Sequence, residues 1–257
     1  MKRLFSVILI SAALLGASFT SSAQYFNHMY LGVGAGTDGG TVQIGLPVGP
    51  LLQIRAGASY MPPLAINYTV PNIHFYGSVS GDVDLTATMA YKSINALVDF
   101  FPGKNTRFHL SAGAYYSPAF CGDGVWANVT GTTNALDPAD YGTAGYMIGD
   151  HMVTTDSEGA LHGYAATKKL LPYFGFGSGR AVAQNSVVSF LFDLGVLYLG
   201  SDGFGAYTEG LNIKNGQKET ILVTSESLDN KDKGLLDMAA SFPVYPVMKF
   251  SLFVKLF

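Results

Sequence analysis

The sequence predicts an all-β fold: a transmembrane antiparallel up-and-down β-barrel of about eight strands. Three observations carry this. First, the stretch from Ser186 to Gly200 places Val188, Phe190, Phe192, Leu194, Val196 and Tyr198 at alternate positions, with Ser189, Leu191, Asp193 and Gly195 between them. A strand with one greasy face of this length crosses a hydrocarbon layer, which takes roughly 9–11 tilted residues. Its Val, Phe and Tyr content favours strand over helix. Second, only 13% of residues are charged and mean hydropathy is +0.25, yet no segment after the leader offers the ~20 continuous apolar residues of a membrane helix. A closed barrel is the other structure that satisfies its backbone inside lipid. Third, the connections alternate between short and long, the asymmetry of barrels with tight periplasmic turns and long extracellular loops.

Met1, Lys2 and Arg3 begin the chain, an apolar run reaches Leu15, and Ser21, Ser22 and Ala23 precede Gln24. This is the pattern of a secretory signal peptide, residues 1–23, cut after Ala23 and leaving 24–257 as the barrel domain. Loss of Lys2 and Arg3 leaves 13 basic against 18 acidic residues, a net charge of −5. No basic run points to nucleic acid. Cys121 is the only cysteine, so no intrachain disulfide forms.

Between Met29 and Gly36, Leu31, Val33 and Ala35 alternate with glycines. After the short loop Thr37–Gly40, Val42, Ile44 and Leu46 share one side of the next strand, and Pro47–Pro50 turns the chain. Ile54, Ala56, Ala58 and Tyr60 then oppose Arg55, Gly57 and Ser59, until Pro62 and Pro63 end the run. Residues 61–88 are a long connection with an extended piece around His74 to Val79. Ile94, Ala96, Val98 and Phe100 oppose Ser93, Asn95, Leu97 and Asp99, and Phe101–Thr106 reverses direction. Phe108, Leu110, Ala112 and Ala114 oppose Arg107, His109, Ser111 and Gly113. The three-residue turn Pro102–Lys104 would place Asp99 and Arg107 on the same inner side.

Residues 117–168 form the largest connection. Phe174 and Phe176 then face lipid in Pro172–Gly179, with glycines behind them, and 181–185 turns into the long apolar strand. Residues 201–244 are the third long connection, with a short helix expected within Lys218–Ala240. The last strand runs from Pro246 to Phe257. Extended pieces at 73–80, 205–213 and 219–225 would raise the count from eight strands to ten by adding a hairpin. Tyr30, Tyr60, Phe100, Phe101, Tyr115, Tyr116, Tyr173 and Tyr198 fall near strand ends, where interface girdles belong.

A final strand ending in an aromatic residue, Phe257, resembles the signal read by the outer-membrane barrel assembly machinery. Leu171–Gly177 and the lead-in Val244–Val247 resemble small outer-membrane barrels of the OmpW/OmpA-transmembrane type. The resemblance implies a monomer in the bacterial outer membrane, with membrane lipid and the assembly machinery as partners. One departure is Lys255, two before the end, where an aromatic residue is usual.

The inward set holds Arg55, Asp99, Arg107, His109, Asp193 and Lys249. An eight-stranded barrel has an interior that side chains just fill, and charges there need partners. The expectation is a lumen charge network, in a structural or surface-exposed barrel that is a narrow pore or binds a small amphipathic solute. The alternative is a lipid-modifying enzyme. His109 and Ser111 at i and i+2 resemble the His-x-Ser of PagL-type lipid A deacylases, but Ala112 stands where that family has Asn and no acid follows soon after. No catalytic residue, cofactor or metal is therefore expected. Asp150, His151, Asp156, Glu158 and His162 lack the ordered spacing of a cation loop. Gly32–Gly36 has neither the helix nor the Lys-Ser/Thr of a phosphate loop. A soluble exported β-sandwich or lipocalin-like binder is disfavoured by the long apolar face at 188–198.

Overall fold

The computed structural model describes residues 28–75, 79–183, 186–200, 203–223 and 243–256. The proposed signal peptide, most of the expected helix within Lys218–Ala240, and Phe257 lie outside the described residues.

The strands in chain order are β1 Tyr30–Gly36, β2 Gly39–Pro47, β3 Leu52–Tyr60, β4 Leu64–Phe75, β5 Val79–Met89, β6 Lys92–Phe100, β7 Phe108–Tyr116, β8 Val125–Thr132 and β9 Gly145–Ile148. They continue with β10 His151–Thr154, β11 Ala160–Ala166, β12 Leu170–Gly179, β13 Val188–Tyr198, β14 Gly205–Asn212, β15 Lys218–Val223 and β16 Val244–Lys255. Eight of them close a barrel in the order β1-β16-β13-β12-β7-β6-β3-β2, every pair antiparallel. These are the eight strands that the alternation predicts.

The pleat sends successive side chains to opposite sides of the wall. Val33, Ile44, Phe108, Leu110, Phe174, Phe176, Phe190, Met248 and Phe250 point outward and are exposed. Their neighbours Gln43, His109, Ser111, Leu191, Lys249 and Ser251 are buried inside. The outer wall is thus an apolar band that water does not suit, and these side chains are left exposed by the described residues.

The three long connections form a second sheet, β4-β5-β8-β11-β14-β10-β9, with β15 paired to β14. Its origin is simple. The β4–β5 hairpin prolongs the β3–β6 pair beyond Met61, and the β8–β11 pair prolongs β7–β12. β14 and β15 do the same for β13 and β16. The three extensions are then zipped together by β5–β8 and β11–β14 ladders. Within the extended pieces noted at 73–80, 205–213 and 219–225, the described strands end at Phe75, start at Val79, span Gly205–Asn212 and end at Val223, and they build this second sheet and not the barrel wall. Lys218–Val223, the described part of the stretch in which a short helix is expected, is β15.

Two buried clusters close the ends of the barrel and a third lies in the second sheet. At the loop end, Met61, Tyr91, Trp126, Leu171, Leu199 and Val247 pack with Phe204 and Tyr245. Tyr91 stacks on Trp126 at a centroid distance of 3.8 Å. At the turn end, Ala181 and Val182 fold back into the mouth against Tyr30, Leu191 and Phe253. Gln53 fixes that plug by donating to the Val182 carbonyl and accepting from its N–H. A third cluster of Phe75, Val83 and Leu136 holds the second sheet.

The proposed girdle splits by parity. Tyr60, Phe100, Tyr116 and Tyr198 face outward, whereas Tyr30, Phe101, Tyr115 and Tyr173 are buried within. Glycines opposite make room for the inward rings: a Cβ on Gly175 or Gly195 would lie 2.5 Å from the Tyr173 hydroxyl.

Candidate functional site

The charged lumen lies between the two end plugs. β3 points Arg55 inward, β6 supplies Asp99, β7 supplies His109 and Ser111, β13 supplies Asp193 and β16 supplies Lys249. Arg55 is clamped by two carboxylates. Its Nε and Nη2 meet Asp99 at 2.8 Å, and its Nη1 and Nη2 meet Asp193 at 2.7 and 3.1 Å. Such forked, charge-assisted bonds are about twice as strong as neutral ones. Ser111 donates to Asp99 at 2.8 Å, and His109 Nε2 contacts Asp193 at 2.9 Å.

A second group sits toward the loop end. Lys249 Nζ lies 2.7 Å from Asp38 Oδ2 and donates to the Tyr115 hydroxyl at 2.8 Å. Tyr115 and Ser59 both donate to the same Asp38 oxygen, at 3.2 and 2.9 Å. Asn95 links Ser59 to Gln43 by donating to the one and accepting from the other. Three carboxylates therefore face two permanent cations, and His109 is the further group among the described lumen residues able to carry positive charge.

Five of the six lumen residues named from sequence thus lie inside: Arg55, Asp99, His109, Asp193 and Lys249, each no more than 2% exposed. Arg107 does not. β7 begins only at Phe108, so strand alternation does not govern Arg107, and its side chain is exposed at the turn end. Phe101 takes the inner place beside His109, with ring centroids 5.4 Å apart.

Asp38 escaped the sequence reading because Thr37–Asp38 is a turn, and turn acids are ordinarily solvated. Only the closeness of Lys249, paired in register with Gly36, reveals why it turns inward. Arg180 was missed likewise. Its guanidinium lies 3.9 Å from the Phe101 ring centroid and donates to the carbonyls of Pro50, Gly103, Lys104 and Thr106, tying the short turns together.

The loop acids resolve into separate pairs. Asp156 pairs with His162 at 2.7 Å, His151 with Glu219 at 3.1 Å, and Asp150 with Lys214. His162 donating to Asp156, with help from the Ala160 and Glu158 N–H groups, lowers that carboxyl to about 2. Among the described residues no group of three or more such side chains is arranged for a metal ion. His109 and Ser111 share the inner face of β7, but each is committed to a different aspartate and both are buried, so an acyl chain has no approach to them.

No family model matches the chain, and no curated protein matches it. Among solved structures, it is similar to Acinetobacter baumannii CarO at 14% identity, over 88% of this chain and 96% of that one, with a TM-score of 0.45. It is also similar to A. baumannii CarO2, at 14% identity over 89% and 98% with a TM-score of 0.46. A major outer membrane protein from Thermus thermophilus is similar at 13% identity, over 89% and 98%, with a TM-score of 0.40. No family is assigned by these comparisons.

Proposed function

We propose that the chain is a non-enzymatic, monomeric outer-membrane barrel whose spanning part is a plugged ring of strands and whose long loops form its working surface. The observation that carries this is the inversion of ordinary burial. Phe174, Phe190 and Phe250 are 60%, 57% and 54% exposed on the outer wall, while Arg55 and Asp99 are 0% exposed at its centre. Lipid accounts for the first fact, and paired charges filling the interior account for the second. A water-filled pore would leave its lining side chains accessible, so the narrow-pore reading is the weaker of the two. The assembly machinery would read the final strand in placing such a protein.

Binding of a small amphipathic solute has a candidate place. A groove of about 560 Å³ opens in the second sheet where β10 and β11 diverge along β14. Asn128, Thr130, His162, Tyr164, Glu209 and Lys218 line it, mixing aromatic surface with hydrogen-bonding groups.

Planar-bilayer recording tests the plugged reading. Purified protein refolded into detergent, migrating differently on gels before and after heating, is expected to give no steady conductance. Reproducible unit conductance from the unmodified chain would replace this reading with that of a pore.

A further inference from the structure

We propose that the turn end carries a binding site for an anionic phospholipid, its phosphate held by Lys104, Arg107 and Arg180 and its acyl chains lying on Phe190, Phe192 and Phe250. The inference rests on the membrane reading above and adds a ligand class to it. A groove of about 690 Å³ runs beside the start of β13, and these six residues all line it.

The two halves of the groove differ in chemistry. Phe190 and Phe250 are largely exposed and their rings lie 6.0 Å apart, forming an apolar floor on the outer wall. Lys104 and Arg107, both exposed, stand at its rim with Arg180. Ser178, Asn105 and Ser186 add hydrogen-bonding groups beside them. A headgroup phosphate above two acyl chains has the same order of charge and grease along its length.

Charge complementarity selects an anionic lipid over a zwitterionic one. Among the described residues, no acidic side chain lines this groove. Asp99 and Asp193 are sealed in the lumen, and every other described acidic residue belongs to the loop end or to its connections. The turn end therefore presents a positive face at the depth where apolar wall gives way to polar turn. Arg180 is also built in place: four carbonyls hold its guanidinium, and of its five N–H groups one has no acceptor among the described residues. Basic side chains at a membrane surface attract anionic lipid, roughly fivefold in affinity for each.

Native mass spectrometry of the full chain, released from nanodiscs of mixed phosphatidylglycerol and phosphatidylcholine, tests this. The wild type is expected to retain phosphatidylglycerol in preference to phosphatidylcholine by roughly tenfold or more. The double variant Lys104→Gln/Arg107→Gln, which leaves the turn-binding Arg180 in place, is expected to lose most of that preference and fall toward equal retention of the two lipids, while keeping its heat-modifiable fold. Equal retention of the two lipids by wild type, or an unchanged preference in the variant, would overturn the site. Displacement of phosphatidylglycerol by millimolar inorganic phosphate would overturn it too, since it would reveal a plain anion site. Failure to enter nanodiscs at all would instead refute the membrane reading beneath it.

Discussion

His109 on β7 reaches Asp193 on β13 at 2.9 Å, although β12 runs between them, because the residue in register with both is Gly177. A Cβ at Gly177 would sit 2.7 Å from His109 Nε2 and 2.1 Å from the Phe192 carbonyl oxygen. Absence of a side chain on one strand thus lets two others touch across it.

Gly177→Ala is therefore expected to cost about 1–3 kcal/mol through overpacking alone. Gly40→Ala, whose Cβ would meet nothing nearer than the Tyr60 carbonyl oxygen at 3.9 Å, is expected to change stability by less than about 0.5 kcal/mol. Urea unfolding in lipid vesicles compares the two. Equal effects would mean that the interior is looser than the contacts require.

The Asp38–Lys249 pair predicts a second effect. Lys249→Met leaves a buried carboxylate with only hydroxyl partners and is expected to cost about 3–5 kcal/mol, as does breaking other buried pairs. Adding Asp38→Asn removes the orphaned charge, so the double variant is expected to be more stable than the single one. A double-mutant cycle from the same unfolding curves gives the coupling, and additive costs would show that the pair does not interact.

How much of this was legible follows from which solvent each strand meets. β1, β2, β3, β6, β7, β12, β13 and β16 must keep one face greasy along their whole length, so strict alternation reveals them. β8 and β11 face no such demand: Asn128, Thr130, His162 and Gly163 carry no clear two-residue rhythm, and the sequence reads as loop. Alternation also placed Arg55 and Asp193 inside, but not in contact. Their meeting depends on the curvature of the closed wall, with β3 and β13 on different sides of it. Asp38 and Arg180 were illegible for a further reason, since each lies in a turn where no periodicity applies.

The second sheet has its own pH signature. Asp156 titrates at about 2, first because His162 donates to it and then because the Ala160 and Glu158 N–H groups do. A depressed carboxyl favours the folded loop above the ordinary carboxylate value, and that contribution is lost as pH falls toward about 2. His162→Ala removes the largest cause, so the Asp156 midpoint is expected to rise toward 3.8, the value of an unperturbed Asp. Carboxyl-carbon NMR of the micellar protein follows it directly. An unmoved midpoint would assign the depression to the backbone donors.

Spin-label accessibility tests the central claim most directly. In a Cys121→Ser background, single cysteines replace Val33, Phe176, Phe190 and Phe250 on the outer wall, or Phe120 and Ile213 at the loop end. All six native side chains are more than half exposed. In bilayers, the four wall labels are expected to relax with dissolved oxygen and to resist a water-soluble nickel chelate, while Phe120→Cys and Ile213→Cys behave the opposite way. Nickel access at all six positions, in protein that stays monodisperse without detergent, would contradict it.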